Sequence, residues 1–346
     1  MELSAIIQRY HPAFIEQYAS RLQPRHTHAI YATLACRTQQ YGEMQLHCQA
    51  CDVSLSLFHS CGHRSCPRCQ NHDTTCWIER QQQKLLPVDY FMVTFTLPYE
   101  LRRLVWHHQK KLYPILFECA VSTLKDFGLK EKKLRGDLGM TAVLHTHTRR
   151  LDFHPHLHIV VPGGCIQKKR KQWKKLEGQY LFNEFALASV FRGRFLAALN
   201  QAGIVPPKTP SKWVVDCEHV GRGLPALHYL SRYLYRGVIS EKNILSDDGT
   251  QVTFQYRDSQ TKTLKTRTVK GETFLWLVFQ HVLPKGFRRV RDFGFLHGNA
   301  KKLLLLVQMI LKVVITQPEQ KLRPCCRCAS CGMPMRLLRN SFRSDE

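Results

Sequence analysis

The stretch His154-Pro155-His156-Leu157-His158-Ile159-Val160-Val161 decides how this chain is read. Along a β-strand, successive side chains point to opposite faces. His154, His156 and His158 then share one face, while Leu157 and Ile159 turn toward a core. Two imidazoles two residues apart on a strand bind one divalent ion from one side. Just upstream, TAVLHTHT over residues 141–148 reads as a second strand carrying His145 and His147. If the two strands pair through RRLDF at 149–153, His145 comes opposite His156. Three imidazoles then surround one open-faced ion. A lone His-x-His would be explained by a polar strand face; three alternating histidines beside two more point to a metal.

Outward from this pair, YFMVTFTL at 90–97 is a strand by its β-branched and aromatic content. Helical spacing marks residues 1–34, 74–85, 99–127, 184–200, 224–237, 272–282 and 299–315. VTFQYRD and TRTVKGETF form a hairpin. The run Lys168–Lys175, with Lys169 and Arg170, reads as a loop, either a solvated surface or a phosphate contact. In Leu227–Arg236, Tyr229 and Tyr233 are four apart and share a helix face. Arg232 and Arg236 form the neighbouring stripe. Aromatics at this spacing are usually core, but phenols beside arginines also suit phosphate chemistry.

The 346 residues carry 51 Lys and Arg against 26 Asp and Glu, a net charge of +25. A charge this large opposes compaction and points to a polyanion, most simply nucleic acid. With 44% apolar residues, a packed core is expected and disorder is excluded. MELSAIIQRYHPAF lacks a signal-peptide pattern. LLLLVQMILKVVI from Leu303, interrupted by Gln308 and Lys312, is too short and polar for a membrane span. The expectation is a cytoplasmic, nucleoid-associated protein with no membrane partner, of unspecified oligomeric state.

In that compartment clustered cysteines read as metal ligands before disulfides. Cys48-x-x-Cys51 and Cys66-x-x-Cys69 together supply the four thiolates of one structural Zn²⁺, with sulfurs converging to roughly 3.5–4 Å. Cys61 and His63 lie between them and could replace a ligand, or build a second site with Cys36, His59 or His72. Cys76 reads as core. Arg64, Arg68 and Arg80 suggest that this module contacts DNA. Near the end, Cys328-x-x-Cys331 with Cys325 suggests a further zinc site, completed by Cys326 or by another part of the fold. Three modules follow: 1–86 helical and zinc-binding, 87–298 carrying the histidines, and 299–346 a helix and cysteine knuckle.

The ACRT of 35–38, CPRCQ of 66–70, LLPVDYFMVTFTLP from Leu85, HPHLHIVVPGG from His154, YLSRYLYR from Tyr229 and HVLPKGFRRVRDFG from His281 occur together and in order. Over residues 30–332 the chain resembles the rolling-circle transposases of the HUH type. The match is to the two-tyrosine insertion-sequence family named after insertion sequence ninety-one. Two departures stand out: Arg64-Ser65 replaces the family's Arg-His, and HTHTRRL replaces its His-Thr-Trp segment while keeping His145. The resemblance implies an α+β fold, an antiparallel sheet with flanking helices preceded by a zinc ribbon. It also implies a catalytic Mg²⁺ or Mn²⁺ on His145, His156 and His158. The third ligand varies in this superfamily, so Glu218, His147 and His228 remain alternatives. Tyr229 and Tyr233 would attack single-stranded DNA to form 5′-phosphotyrosine links, with Arg232, Arg236, Lys169 and Arg170 as DNA contacts. Competing readings are a plasmid relaxase or replication initiator with the same chemistry, and a non-enzymatic zinc-ribbon DNA-binding regulator. A zinc hydrolase is disfavoured by the lack of an HExxH pattern.

Overall fold

The structure, a computed structural model, describes residues 1–222, 238–258, 260–314 and 325–342, apart from the side chains of 70–74. In chain order the first elements are α1 (Leu3–Tyr18), α2 (Pro24–Ala35), β1 (Gly42–Cys48), β2 (Val53–Phe58), α3 (Gln70–Gln82) and β3 (Asp89–Thr96). Next come α4 (Tyr99–His107), α5 (Gln109–Lys130), β4 (Gly139–His147), β5 (Phe153–Pro162), β6 (Gly164–Gln167), β7 (Gln172–Lys175) and α6 (Glu184–Gln201). The last are β8 (Val214–Arg222), β9 (Ile244–Asp247), β10 (Gln251–Arg257), β11 (Leu264–Lys270), α7 (Gly271–Phe279), β12 (Val290–Gly294), α8 (Lys301–Ile310) and β13 (Arg336–Phe342). The mixed helices and antiparallel sheets are those of an α+β chain. No described helix is long and apolar enough to cross a membrane.

Two compact units divide the chain. The second, Thr75–Leu234 with Leu283–Thr316, holds a five-stranded sheet in the order β12-β4-β5-β3-β8, every neighbour antiparallel. Strict alternation sorts its side chains. Phe91, Val93, Phe95, Met140, Ala142, Leu144, Leu157, Ile159 and Val161 enter one core. Helix α5 presents Leu112, Leu116, Phe117, Ala120 and Leu124 to that core, and α6 adds Leu187, Phe191 and Phe195. Full burial of a side chain of this size contributes about 1.5–3 kcal/mol. The core therefore holds the backbone of β4 and β5, and the opposite face is free to carry polar groups.

The first unit, Met1–Thr74 with Tyr235–Val282 and Gln317–Glu346, packs α1 against α7. Tyr18 stacks on Trp276 at 5.0 Å, and Gly271 leaves room for the Tyr10 ring, which a Cβ there would meet at 2.2 Å. Among the described residues it contains two three-stranded sheets, β11-β10-β9 and β13-β1-β2. The last strand among the described residues, β13, pairs with β1.

Several local expectations change. The helix expected over 1–34 is divided before Pro24, which starts α2 with Gln23 as its cap. The helix expected over 99–127 breaks at His108 (φ −115°, ψ 33°). The basic run is a β6–β7 hairpin instead of a loop, turning through Lys171 at φ 51°. In this hairpin Trp173 packs edge-on against Phe295 at 5.7 Å, in the space that Gly164 leaves by lacking a side chain.

Candidate functional site

Strands β4 and β5 pair with His145 opposite His156 and Val143 opposite His158. The face away from the core therefore gathers His145, His156 and His158, and one ring nitrogen from each lies within 4.8 Å of the others. Ring centroids are 4.5 Å apart for His145 and His158, 4.9 Å for His156 and His158, and 5.3 Å for His145 and His156. Nδ1 of His156 donates to the His154 carbonyl at 2.7 Å, which leaves Nε2 with its lone pair. Nδ1 of His158 meets the Thr94 hydroxyl at 3.1 Å, from the neighbouring strand β3. Such partners fix ring orientation in metal sites.

Burial, then the neighbouring His158 and His156 and the Arg289 charge, hold His145 well below the usual imidazole pKa. Burial brings His156 down to about 4 and His158 to about 3, the latter also opposed by His156. All three are therefore neutral at pH 7, the state that ligates a cation. Nitrogen donors this close and uncharged, one buried and two half-buried, fit one divalent ion.

Of the alternative third ligands, His147 is outside the group because the ladder shifts between His145 and His147, setting His147 opposite Phe153. Glu218 lies on β8 opposite Met92, one step along the face from the Asp216–Thr94 pair beside His158, and does not join. His154 stands 5.0 Å from His156, also outside the group. His228, Tyr229, Tyr233, Arg232 and Arg236 lie outside the described residues. Lys169 and Arg170 are exposed in the β6–β7 turn.

One neighbour of the histidines was not singled out by spacing. Arg289 accepts from the Leu144 N–H at 3.0 Å and returns its Nε to the Leu144 carbonyl at 2.9 Å. That grip sets a guanidinium beside His145. Arg102 of α4 adds a second positive charge near His156 and His154. The usable signal was the HVLPKGFRRVRDFG segment, whose Val290–Gly294 stretch edges the sheet against β4.

The cysteines form two groups, each with sulfurs within 4.8 Å: Cys36, Cys61, Cys66 and Cys69; and Cys48, Cys51, Cys328 and Cys331. The single site expected from Cys48, Cys51, Cys66 and Cys69 is corrected. Cys48 ends β1, and β2 carries the chain back along it, so that the His59 N–H reaches the Gly42 carbonyl at 3.0 Å. A seven-residue strand spans roughly 20 Å, which parts the two Cys-x-x-Cys turns. Cys36, just before β1, completes the near group instead.

The Sγ separations of 3.5 Å for Cys36–Cys69, Cys61–Cys69 and Cys48–Cys331 match those of thiolates around one zinc, roughly 3.5–4 Å. A hydrogen bond from Cys61 lowers Cys66 to about 5, and the backbone N–H groups of Cys331 and Ser330 lower Cys328 to about 6. These clusters support structural zinc. Cys325, expected beside Cys328, is exposed and outside the group. His63 is turned to the Ser65 N–H, and His59 to Asn340, so neither joins. His72's side chain lies outside the description, and Cys76 is half-buried. Arg68 is held by Glu2 and Glu241 and is not a free DNA contact.

Two transposase family models and two transposase relatives match this chain. Residues 139–303 match the family described as Putative transposase, and residues 6–97 match the Transposase zinc-binding domain. The chain is 30% identical to a putative transposase, y4qJ, of Sinorhizobium fredii, over 93% of this chain and 87% of that protein. It is 28% identical to the transposase for insertion sequence element IS801 of Pseudomonas savastanoi pv. phaseolicola, over 84% of this chain and 75% of that protein.

Proposed function

The chain belongs to the IS91 transposase family, and from that premise we propose that it cleaves and rejoins single-stranded DNA through a 5′-phosphotyrosine bond at the histidine face of its sheet. The observation that carries this reading is the convergence of His145, His156 and His158 as neutral imidazoles on one face. The transposase relatives favour it over a relaxase or a non-enzymatic regulator.

His145, His156 and His158 would hold the cation, and three nitrogen donors suit Mn²⁺ better than Mg²⁺. A bound divalent ion supplies charge stabilisation for the phosphate under attack. The protein does the rest. A phenol oxygen of Tyr229 or Tyr233 gives up its proton and attacks phosphorus in line. The phosphorus–O3′ bond breaks, and the 3′ oxygen leaves as a hydroxyl after taking a proton. The phosphotyrosine conserves the bond energy, so attack by another 3′-hydroxyl rejoins the strand without ATP. Thr94 and the His154 carbonyl keep the imidazoles oriented. Arg289 keeps a fixed positive charge beside the same histidines, where negative charge develops.

The test is incubation with a single-stranded oligonucleotide carrying the element's ends and Mg²⁺ or Mn²⁺. A denaturation-resistant protein–DNA adduct is expected. Tyr229→Phe with Tyr233→Phe should abolish it while Tyr235→Phe retains it. An adduct that survives the double substitution and disappears with Tyr235→Phe overturns the assignment.

A further inference from the structure

The match to the Transposase zinc-binding domain ends at residue 97, and the match to the Putative transposase family ends at 303. Cys328 and Cys331 lie beyond both. Yet their sulfurs complete the group begun by Cys48 and Cys51, with Cys48 and Cys331 in contact at 3.5 Å although 283 residues apart.

The two halves are built alike. Each is a Cys-x-x-Cys turn followed by a residue in the left-handed region: Asp52 at φ 55° and Gly332 at φ 71°. In the second turn, the Gly332 N–H donates to the Cys328 carbonyl at 2.9 Å and the Cys328 N–H to the Met333 carbonyl at 2.8 Å. This small hairpin then feeds β13, which pairs antiparallel with β1 from His47↔Arg336 to Gly42↔Phe342. Two matching turns, facing across the end of one sheet, bring four sulfurs together.

The sheet has little else to hold it. Nearly every residue of β13 is exposed, including Leu337, Leu338 and Phe342, and so is most of β2, including Val53 and Leu55. A three-stranded sheet with so little apolar burial is marginal in water. Small modules of this kind are folded by their metal.

We propose that Cys48, Cys51, Cys328 and Cys331 bind a second structural zinc ion, separate from the one at Cys36, Cys61, Cys66 and Cys69. This ion clasps the segment 325–342 onto the β1–β2 hairpin. The N-terminal zinc-binding module is therefore finished only by the last part of the chain. A product that stops short of Cys328 carries an incomplete module even though every residue matched to the zinc-binding domain is present. The proposal is independent of the cleavage chemistry.

The experiment counts zinc per chain by elemental analysis in the full-length protein. A His156→Ala/His158→Ala background keeps the sheet site from adding zinc. Two ions per chain are expected. Cys328→Ser with Cys331→Ser should leave one, and amide exchange should show Arg336–Phe342 losing protection while Leu3–Tyr18 keeps it. Cys36→Ser with Cys61→Ser should also leave one, without exposing Arg336–Phe342. Cys331→His, which offers nitrogen for sulfur, should keep two ions and shift the Co²⁺ absorption spectrum to that of a mixed sulfur–nitrogen site. Two zinc ions in the Cys328→Ser/Cys331→Ser protein would overturn the proposal. So would one zinc in the parent protein together with a disulfide from Cys48 to Cys331.

Discussion

The histidine face and the cysteine clusters both gather metal-ligating side chains, and they do so by opposite routes. On the sheet, His145, His156 and His158 come from two adjacent strands whose other faces are pinned by Leu144, Leu157 and Ile159. Period-two alternation and one short turn are sufficient. In the cysteine module, ligands run from Cys36 to Cys331, and the sheet they close has few buried side chains of its own. Where the core comes first, the ligands decorate a scaffold that stands without them. Where it does not, the ligands are the scaffold. Loss of a sheet histidine should therefore remove chemistry and spare the fold, whereas loss of a cysteine should do the reverse.

The contrast can be sharpened in steps of decreasing size. His158→Ala should lower strand cleavage by about 10³-fold, while DNA affinity changes by less than about tenfold, since binding rests on backbone electrostatics. A matching fall in affinity, measured by titration at fixed salt, would show the histidines to be part of the DNA-binding surface instead. Arg289→Gln should cost about 10²-fold in cleavage rate, mostly in kcat, because the charge beside His145 acts where negative charge develops. A change confined to KM would break that assignment. Thr94→Val removes the hydroxyl at His158 Nδ1 and should weaken cation affinity by about tenfold, read by Mn²⁺ titration, with zinc content untouched.

The smallest effect belongs to the first unit. Burial, with the Arg25 charge beside it, lowers the His26 pKa to about 4. In the unfolded chain the ring titrates near about 6.5. The unfolded state therefore binds the extra proton first, and stability that is complete above about pH 6.5 is lost as pH falls toward 4. His26→Gln should flatten this slope by about 1 kcal/mol per pH unit near pH 5, seen as the difference between two denaturation profiles. Parallel profiles would mean that His26 is accessible to protons in the folded protein.

How far the sequence reaches follows from the same contrast. The strand pair at 141–162 was legible down to the His145↔His156 register, because alternation and a short connection leave one pairing that buries Leu157. The second site's closing pair was not legible. Nothing local in Cys328-x-x-Cys331 says that β13 returns to β1, and the spacing of 48–51 and 66–69 conceals the length of the hairpin between them. Arg289 escaped for a related reason. Its place beside His145 depends on the return of the chain to β4 from the far side of the sequence. The basic run gave no sign that its Trp173 packs on Phe295, because that needs the room left by the bare Gly164 backbone.

The division of labour is tested most directly by measuring one preparation of His156→Ala twice. The first measurement is adduct formation on single-stranded element ends, and the second is zinc content with the thermal unfolding midpoint. The account predicts no adduct, with two zinc ions per chain and a midpoint equal to that of the parent protein. Adduct at the parent's yield would contradict the placement of the chemistry at the histidine face. Fewer than two zinc ions per chain, or loss of the folded state, in this variant would contradict the claim that the sheet stands without its ligands.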